Sequence, residues 1–283
     1  MTHRFTRRLY TVLGLAAAIA AAAAAPASAQ FQPRPLGTPP VGEAYHIEAA
    51  AAFWMPAADA VVSSSGFGIT GSAIDFRRDL GLTDRRFPAL SLQLRPARKH
   101  KFRFQYIPIE YEQSAILQHD VVFNGQRYSL GLPVSSSLLW KAYRFGYEYD
   151  FVSRDAVFAG IIAEVKYTDV TARLRVPIRE LNEYGRAYAP IPALGGIVRV
   201  RPVPNLAVTA DITGFTVPKR VADRVSPGSK AHYVDVDVAA TWNFANQLGA
   251  QVGYRSLDMG YTYKEDSGAF TFKGLYFGAV ARY

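Results

Sequence analysis

The stretch Gly274-Leu275-Tyr276-Phe277-Gly278-Ala279-Val280-Ala281-Arg282-Tyr283 decides how the rest of the chain is read. Side chains of a strand alternate between its two faces. Leu275, Phe277, Ala279, Ala281 and Tyr283 therefore share one face, and Gly274, Tyr276, Gly278, Val280 and Arg282 share the other. The first face is uniformly apolar, and the second carries glycines and a guanidinium. That split fits a strand with hydrocarbon on one side and a polar interior on the other. Chain ends usually fray, so an ordered, aromatic-terminated ending of this kind is informative.

The ending resembles the C-terminal assembly signal of bacterial outer-membrane β-barrels. Gly278, Ala281 and Tyr283 fill the glycine, apolar and terminal aromatic places, alanine being a smaller occupant than usual. The resemblance implies recognition by the outer-membrane assembly machinery. The other end of the chain agrees. Residues 1–29 read as a secretory signal: Arg4, Arg7 and Arg8, an apolar run from Leu9 to Ala25, and a small-residue cleavage site Ala27-Ser28-Ala29, with cleavage expected after Ala29. The apolar run is only 17 residues long and is followed at once by Pro26, which disfavours a membrane-anchoring helix.

Cleavage leaves 254 residues, enough for one sizeable domain. The chain contains no cysteine, which excludes a lipoprotein anchor, a disulfide framework and a thiol metal site. No later segment approaches the ~20 consecutive apolar residues of a spanning helix. If the mature chain crosses a membrane, it does so as strands closed into a barrel, because lipid offers no partner to an open sheet edge. Without the three signal arginines the chain has 29 Lys+Arg against 23 Asp+Glu, a net charge of +6. These charges are scattered among aromatics and form no basic helix or recognition motif, so nucleic acid is not an expected partner.

Residues 30–42 hold Pro33, Pro35, Pro39 and Pro40 and are expected to form an extended periplasmic lead-in; residues 43–283 are expected to form the barrel. Tight turns at Pro96–Lys99, Val152–Asp155, Pro202–Asn205 and Ala245–Gln247 each separate two alternating runs. With a strand at each terminus they give ten antiparallel strands, eight or twelve being the alternatives. The strands are expected near Ala44–Met55, Phe87–Arg95, His100–Tyr111, Leu138–Phe151, Ala156–Val170, Ala193–Arg201, Leu206–Val217, His232–Phe244, Leu248–Met259 and Phe270–Tyr283. Pro108 predicts a bulge or kink in the third. Longer polar loops are expected at Ala57–Arg86, Glu112–Ser137, Thr171–Pro192, Pro218–Ala231 and Tyr261–Ala269, the asymmetry of an outer-membrane barrel. Within them, Ala73–Phe76 and the Asn124-Gly125 turn could supply the extra pair of strands.

Alternation alone does not separate a membrane barrel from a soluble sandwich, whose strands alternate with the apolar face inward. The aromatics do. Phe102, Tyr149, Phe151, Trp242, Phe244 and Tyr283 all fall on the proposed lipid face, beside the short turns or the C-terminus, as a girdle at one membrane interface. The opposite faces carry a lumen charge network of mixed sign: Glu48, Arg103, Arg144, Glu148, Asp150, Glu164, Lys166, Arg199, Arg201, Asp211, Asp235, Asp237 and Arg255. A lumen of about ten strands has little room beyond its own side chains, so these charges are expected to pair and to plug it.

Catalytic and metal readings are weaker. Ser114, His119 and Asp120 have the chemistry of a nucleophile, base and orienter, and His232 with Asp235 is a second candidate, but neither set sits in a recognisable motif. His46 with Glu48, and Asp235 with Asp237, could each present two ligands on one face, without a third or fourth. No catalytic residue, metal or cofactor is assigned. Cations cluster in two of the expected outer loops: Lys219, Arg220, Arg224 and Lys230 in one, and Arg173, Arg175, Arg179 and Arg186 in the other. The first set is the candidate contact for anionic lipopolysaccharide.

The mature chain as a whole resembles the broad class of small bacterial outer-membrane barrels that includes the OmpA transmembrane domain and OmpW. The resemblance implies a bacterial outer-membrane location, with lipid, lipopolysaccharide and the assembly machinery as partners, and a monomer. The expected function is non-enzymatic, with a structural or surface-binding role. The alternatives are a narrow pore for small or hydrophobic solutes and a lipid A-modifying enzyme.

Overall fold

A computed structural model describes residues 40–283, except 66–68, 118–119, 124 and 177–180. The signal segment and all but the last three residues of the lead-in lie outside the described residues. In chain order the elements are β1 Ile47–Ser63, β2 Ile74–Asp75, β3 Phe87–Ala97, β4 His100–Ile116, β5 Val121–Phe123, β6 Gln126–Tyr128, β7 Pro133–Ser153, β8 Val157–Val176, β9 Leu181–Val203, β10 Leu206–Thr216, α1 Lys219–Val225, β11 Lys230–Asn243, β12 Leu248–Tyr263 and β13 Asp266–Arg282. Ten of the strands (β1, β3, β4 and β7 to β13) run antiparallel in order, and β13 pairs back onto β1 to close a barrel. The four expected tight turns join β3 to β4, β7 to β8, β9 to β10 and β11 to β12.

Twelve strands are excluded. β2 adds two rungs beside β1, and β5 pairs only with β6 as a small separate hairpin. The barrel strands run much further than expected. Most of Thr171–Pro192, read as a loop, belongs to β8 and β9, and Glu112–Ile116 and Pro133–Ser137 extend β4 and β7. Tyr261–Ala269 is likewise strand on both sides of a tight turn, in which Lys264 takes a φ of 53°. A spanning β-strand needs only about 9–11 residues. β8 has 20 and β9 has 23, so roughly half of each stands beyond the bilayer.

Pro108 marks no bulge in the β4–β7 ladder, whose register passes unbroken from Ile107↔Ala142 through Pro108↔Lys141. Its missing N–H acts on the other side, where the β3–β4 ladder stops at Leu90↔Tyr106 and the next rungs would have set Pro88 against Pro108. The β9–β10 ladder also ends early, at Leu194↔Gly214. Pro192 and Pro190, further along β9, have no N–H with which to continue it.

Each long strand reverses its polarity along its length. In the half nearer the short turns, β8 turns Ile161, Ala163, Val165 and Tyr167 outward and Glu164, Lys166 and Thr168 inward. Beyond Thr168 its outward residues are Asp169, Thr171, Arg173 and Arg175, and its buried ones Val170, Ala172 and Leu174. β4 does the same, from Lys101 and Arg103 inside to Ile107, Ile109 and Tyr111 inside. The outward apolar belt is thus confined to the half near the short turns, where Phe102, Phe151, Trp242, Phe244 and Tyr283 are exposed on the barrel wall.

Candidate functional site

The interior is organised in three layers, beginning at the short-turn end. Residues 40–46 fold across that mouth, held by Asn243 Nδ2 donating to the Val41 carbonyl at 2.9 Å and Gly42 N donating to Asn246 Oδ1 at 3.2 Å. Glu43 then reaches three arginines on two strands, β9 and β3, at once. Its carboxylate takes Arg199 Nη1 at 3.0 Å, pairs closely with Arg201, and lies 3.6 Å from Arg95 Nη1. Burial alone would raise the Glu43 pKa, but Arg199 and Arg201, helped by Arg95, hold it down to about 2. Tyr45 follows, buried, with its hydroxyl accepting from Gln93 Nε2 at 2.6 Å.

The second layer is a continuous ion-pair network with Asp235 as its hub. Asp235 Oδ1 accepts from Arg255 Nε at 3.0 Å, while Oδ2 takes Arg255 Nη2 at 2.7 Å and Lys166 Nζ at 2.8 Å. Lys166 also lies 3.0 Å from Glu164, which pairs closely with Arg144. Arg144 continues to Asp211 at 3.5 Å, and Asp211 accepts from Arg103 Nη2 at 2.7 Å. Arg103 reaches Glu148 at 3.3 Å, and Lys101 bridges Glu148 and Asp150 at 2.6 and 2.9 Å. Arg282 holds Glu48 at 2.5 Å, and Tyr276 donates to Asp237 at 2.7 Å. Charges this deeply buried persist only where they are paired, and the network gives each of its cations at least one carboxylate. Beside it, a cavity of about 130 Å³ is walled on one side by Ala50, Ala52, Ala89 and Ser91, polar and roomy enough for several waters.

The third layer is apolar. Arg255 lies over the Trp54 ring at 5.7 Å and Lys166 over the Tyr233 ring at 4.3 Å, where charge gives way to hydrocarbon. Above them Trp140 packs edge-on against Phe270 and Phe272 at 5.6 and 5.0 Å, with Ile109, Tyr111 and Leu138 in the same core. The β1–β3 connection adds Ile74, Phe76, Leu80 and Leu82, and the β4–β7 connection adds Leu117, Val121, Phe123 and Tyr128. Phe76 N donates to the Ala60 carbonyl at 2.9 Å, and Ser72 N to that of Val122 at 2.8 Å, tying the two connections to the wall and to each other.

All twelve residues expected in the lumen from Glu48 to Arg255, and Asp150 with them, lie in these first two layers; Arg199 and Arg201 serve the mouth. Lys101 and Arg282 are missing from the expected set, although parity puts them on the faces of Arg103 and Gly278. Glu43 carried no such signal, because its partners Arg199 and Arg201 are more than 150 residues away in sequence.

The His232–Asp235 pair is not brought together. Asp235 is the lumen hub, whereas His232 faces outward and its Nε2 lies 3.0 Å from Asp258 Oδ1. Strand parity puts residues 232 and 235 on opposite faces. Thr271 donates to the second Asp258 oxygen at 2.9 Å. Ser114 Oγ sits 3.1 Å from Ser135 Oγ, Asp120 accepts from Leu130 N at 2.8 Å, and His119 lies outside the described residues. His46 Nδ1 lies 3.3 Å from the Arg95 carbonyl, away from the Glu48–Arg282 pair. Among the described residues no group of three or more His, Cys, Asp or Glu is placed to hold a metal ion.

Lys219, Arg220 and Arg224 are exposed on α1, and Lys230 is exposed at the start of β11. Arg173 and Arg175 project from β8, and Arg179 lies outside the described residues.

No family model matches the chain, and no curated protein sequence does. Among solved structures, the chain is similar to the outer membrane protease OmpT from Escherichia coli, with a TM-score of 0.53, 6% identity, and coverage of 84% of this chain and 96% of that one. Two others superpose less well: Ail of Yersinia pestis (TM-score 0.37, 8% identity, 84% and 99% covered) and the toluene transporter TodX of P. putida (0.35, 9%, 84% and 90%). At such identities the likeness speaks for the fold alone. The chain has the fold of an outer-membrane β-barrel, closed by ten antiparallel strands.

Proposed function

We propose that the chain is an integral outer-membrane protein with a closed lumen, acting as a structural or surface-binding element rather than as a conduit or an enzyme. The observation that carries this is the stacking of three closures along one axis: the Glu43 latch, the Asp235-centred charge network and the loop-capped aromatic core. The 130 Å³ cavity lies among the charges, lined by Glu48, Arg199 and Arg282 as well as by Trp54 and Ile107. A nucleophile requires its base within hydrogen-bond reach. His232 instead faces Asp258, with Asp235 on the opposite face of the strand, which weighs against the second enzyme candidate.

The belt of outward apolar residues, with aromatics gathered at its lower edge, supports the membrane setting. Planar-bilayer recording of the folded protein tests the closed lumen. Silence at steady voltage is expected, and large, stable unitary currents would replace this reading with that of a pore.

A further inference from the structure

One apolar feature of the outer wall lies directly below a cationic one. On the lipid face a groove of about 750 Å³, lined by residues of β7 to β10, lies between Phe145 and Tyr147 on β7 and Leu194 on β9, with Ala163 of β8 as its floor and Gly214 of β10 beyond Leu194. Its upper rim is Phe215 and Thr216, just past the last β9–β10 rung. Neighbouring strands are ~4.8 Å apart, so the two strand spacings from β7 to β9 give a width of roughly 10 Å, room for acyl chains laid along it.

The chain leaves the rim at Thr216 and enters the β10–β11 connection, kept close by Val217 N donating to the Ala231 carbonyl at 3.0 Å. That connection carries Lys219, Arg220, Arg224 and Lys230, all exposed. Among the described residues no carboxylate lies within ion-pair distance of any of the four, whereas the lumen cations Lys101, Arg103, Arg144, Lys166, Arg255 and Arg282 each have one. The carboxylate of Asp223, between them on α1, accepts from Gly228 N at 3.3 Å. The next strands also turn polar at this height, at His232, Asp258 and Lys273, so the four cations stand at the upper edge of the hydrocarbon belt.

A wide apolar groove under four cations is complementary to an amphiphile with several acyl chains and more than one phosphate. We propose that this face binds lipid A, the phosphorylated, multiply acylated glycolipid of the outer leaflet. Its acyl chains lie in the β7–β10 groove and its phosphates on Lys219, Arg220, Arg224 and Lys230, through charge-assisted hydrogen bonds. The inference rests on the outer-membrane reading given above.

Native mass spectrometry of the detergent-solubilised full chain, titrated with bisphosphorylated lipid A, dephosphorylated lipid A or phosphatidylglycerol, tests it. Lipid A is expected to bind about tenfold or more tightly than either of the others. Replacing the four cations together (Lys219→Gln, Arg220→Gln, Arg224→Gln, Lys230→Gln) should remove that preference and leave dephosphorylated lipid A unchanged. Ala163→Phe, at an exposed wall position, should fill the groove and weaken both lipid A forms. Equal binding of phosphatidylglycerol and lipid A overturns the assignment, as does a fourfold variant that binds like wild type or an Ala163→Phe variant without effect. Heat-dependent gel migration of each sample separates the two levels. Loss of that shift in the wild type would count against the barrel itself, whereas an intact shift with no lipid preference counts against this site alone.

Discussion

The two halves of the barrel are built by opposite rules, although most of the strands run through both. Near the short turns the outside is apolar and the inside is charged; further along, the outside is charged and the inside is an aromatic core. β13 shows both within one strand: Leu275 and Phe277 face out beside inward Tyr276, and a few residues earlier Phe270 and Phe272 face in beside outward Thr271 and Lys273. The solvent decides. Hydrocarbon outside leaves the polar side chains only the lumen, where they must neutralise one another. Water outside makes burial of the apolar side chains the favourable choice. The upper half is, physically, a water-soluble barrel standing on a membrane one.

The strongest way to break this comparison is to unbalance the lower half. Asp235→Ala removes the shared partner of Arg255 and Lys166 and should cost about 3–5 kcal/mol in denaturant unfolding from lipid vesicles. A cost below about 1 kcal/mol would mean that the network is dispensable.

The boundary between the halves can be located next by carrying one probe along β8. Val165→Arg, on the lipid-facing wall, should destabilise by about 2–4 kcal/mol. Thr171→Arg, six residues on and outside the hydrocarbon, should stay within about 0.5 kcal/mol. Equal costs at the two positions would show that the reversal of polarity does not mark the membrane edge.

The smallest effect belongs to the mouth. Glu43→Gln should cost about 2–3 kcal/mol at neutral pH by leaving Arg199 and Arg201 facing each other. Acid should reproduce it with a defined sign. The folded Glu43 pKa, about 2, lies below its unfolded value of about 4.5, so its contribution is complete above pH ~4.5 and lost as pH falls towards 2. Stability measured from pH 6 to 2.5 should fall more steeply in the wild type than in Glu43→Gln; parallel profiles would remove the latch from the account.

The membrane half was legible from sequence because its outward apolar face is what a period-two reading seeks. All ten strands and four turns were placed, and β7 and β11 were assigned the correct faces. The upper half escaped for the same reason. Where outward residues become Asp169, Thr171 and Arg173, alternation in the membrane sense stops and a loop is inferred, although Val170, Ala172 and Leu174 continue the strand with the opposite face apolar. A soluble sandwich, weighed and set aside for the whole chain, describes the patterning of that half well. The cap was out of reach too, since Ile74, Phe76, Val121 and Phe123 sit in short segments whose burial depends on a barrel rim formed by distant strands. Pro108 misled because a missing N–H tells which rung is lost only once both neighbouring strands are known.

The closure of β1 on β13 extends over sixteen rungs, from Glu48↔Arg282 to Ser63↔Ser267, between residues about 200 or more apart in sequence. Loop-closure entropy must be met before such distant pairs reward it, and contacts of this range make folding slow. The β1 face of the seam is nearly bare where it meets β13, Ala49 to Ala52 opposite Ala281 to Gly278, so no bulky side chain has to interlock before the edges meet. Until β13 arrives, β1 carries an open edge that any passing strand could extend. The time between the appearance of the first strand and that of the last is therefore the period in which this edge stands open to a wrong partner.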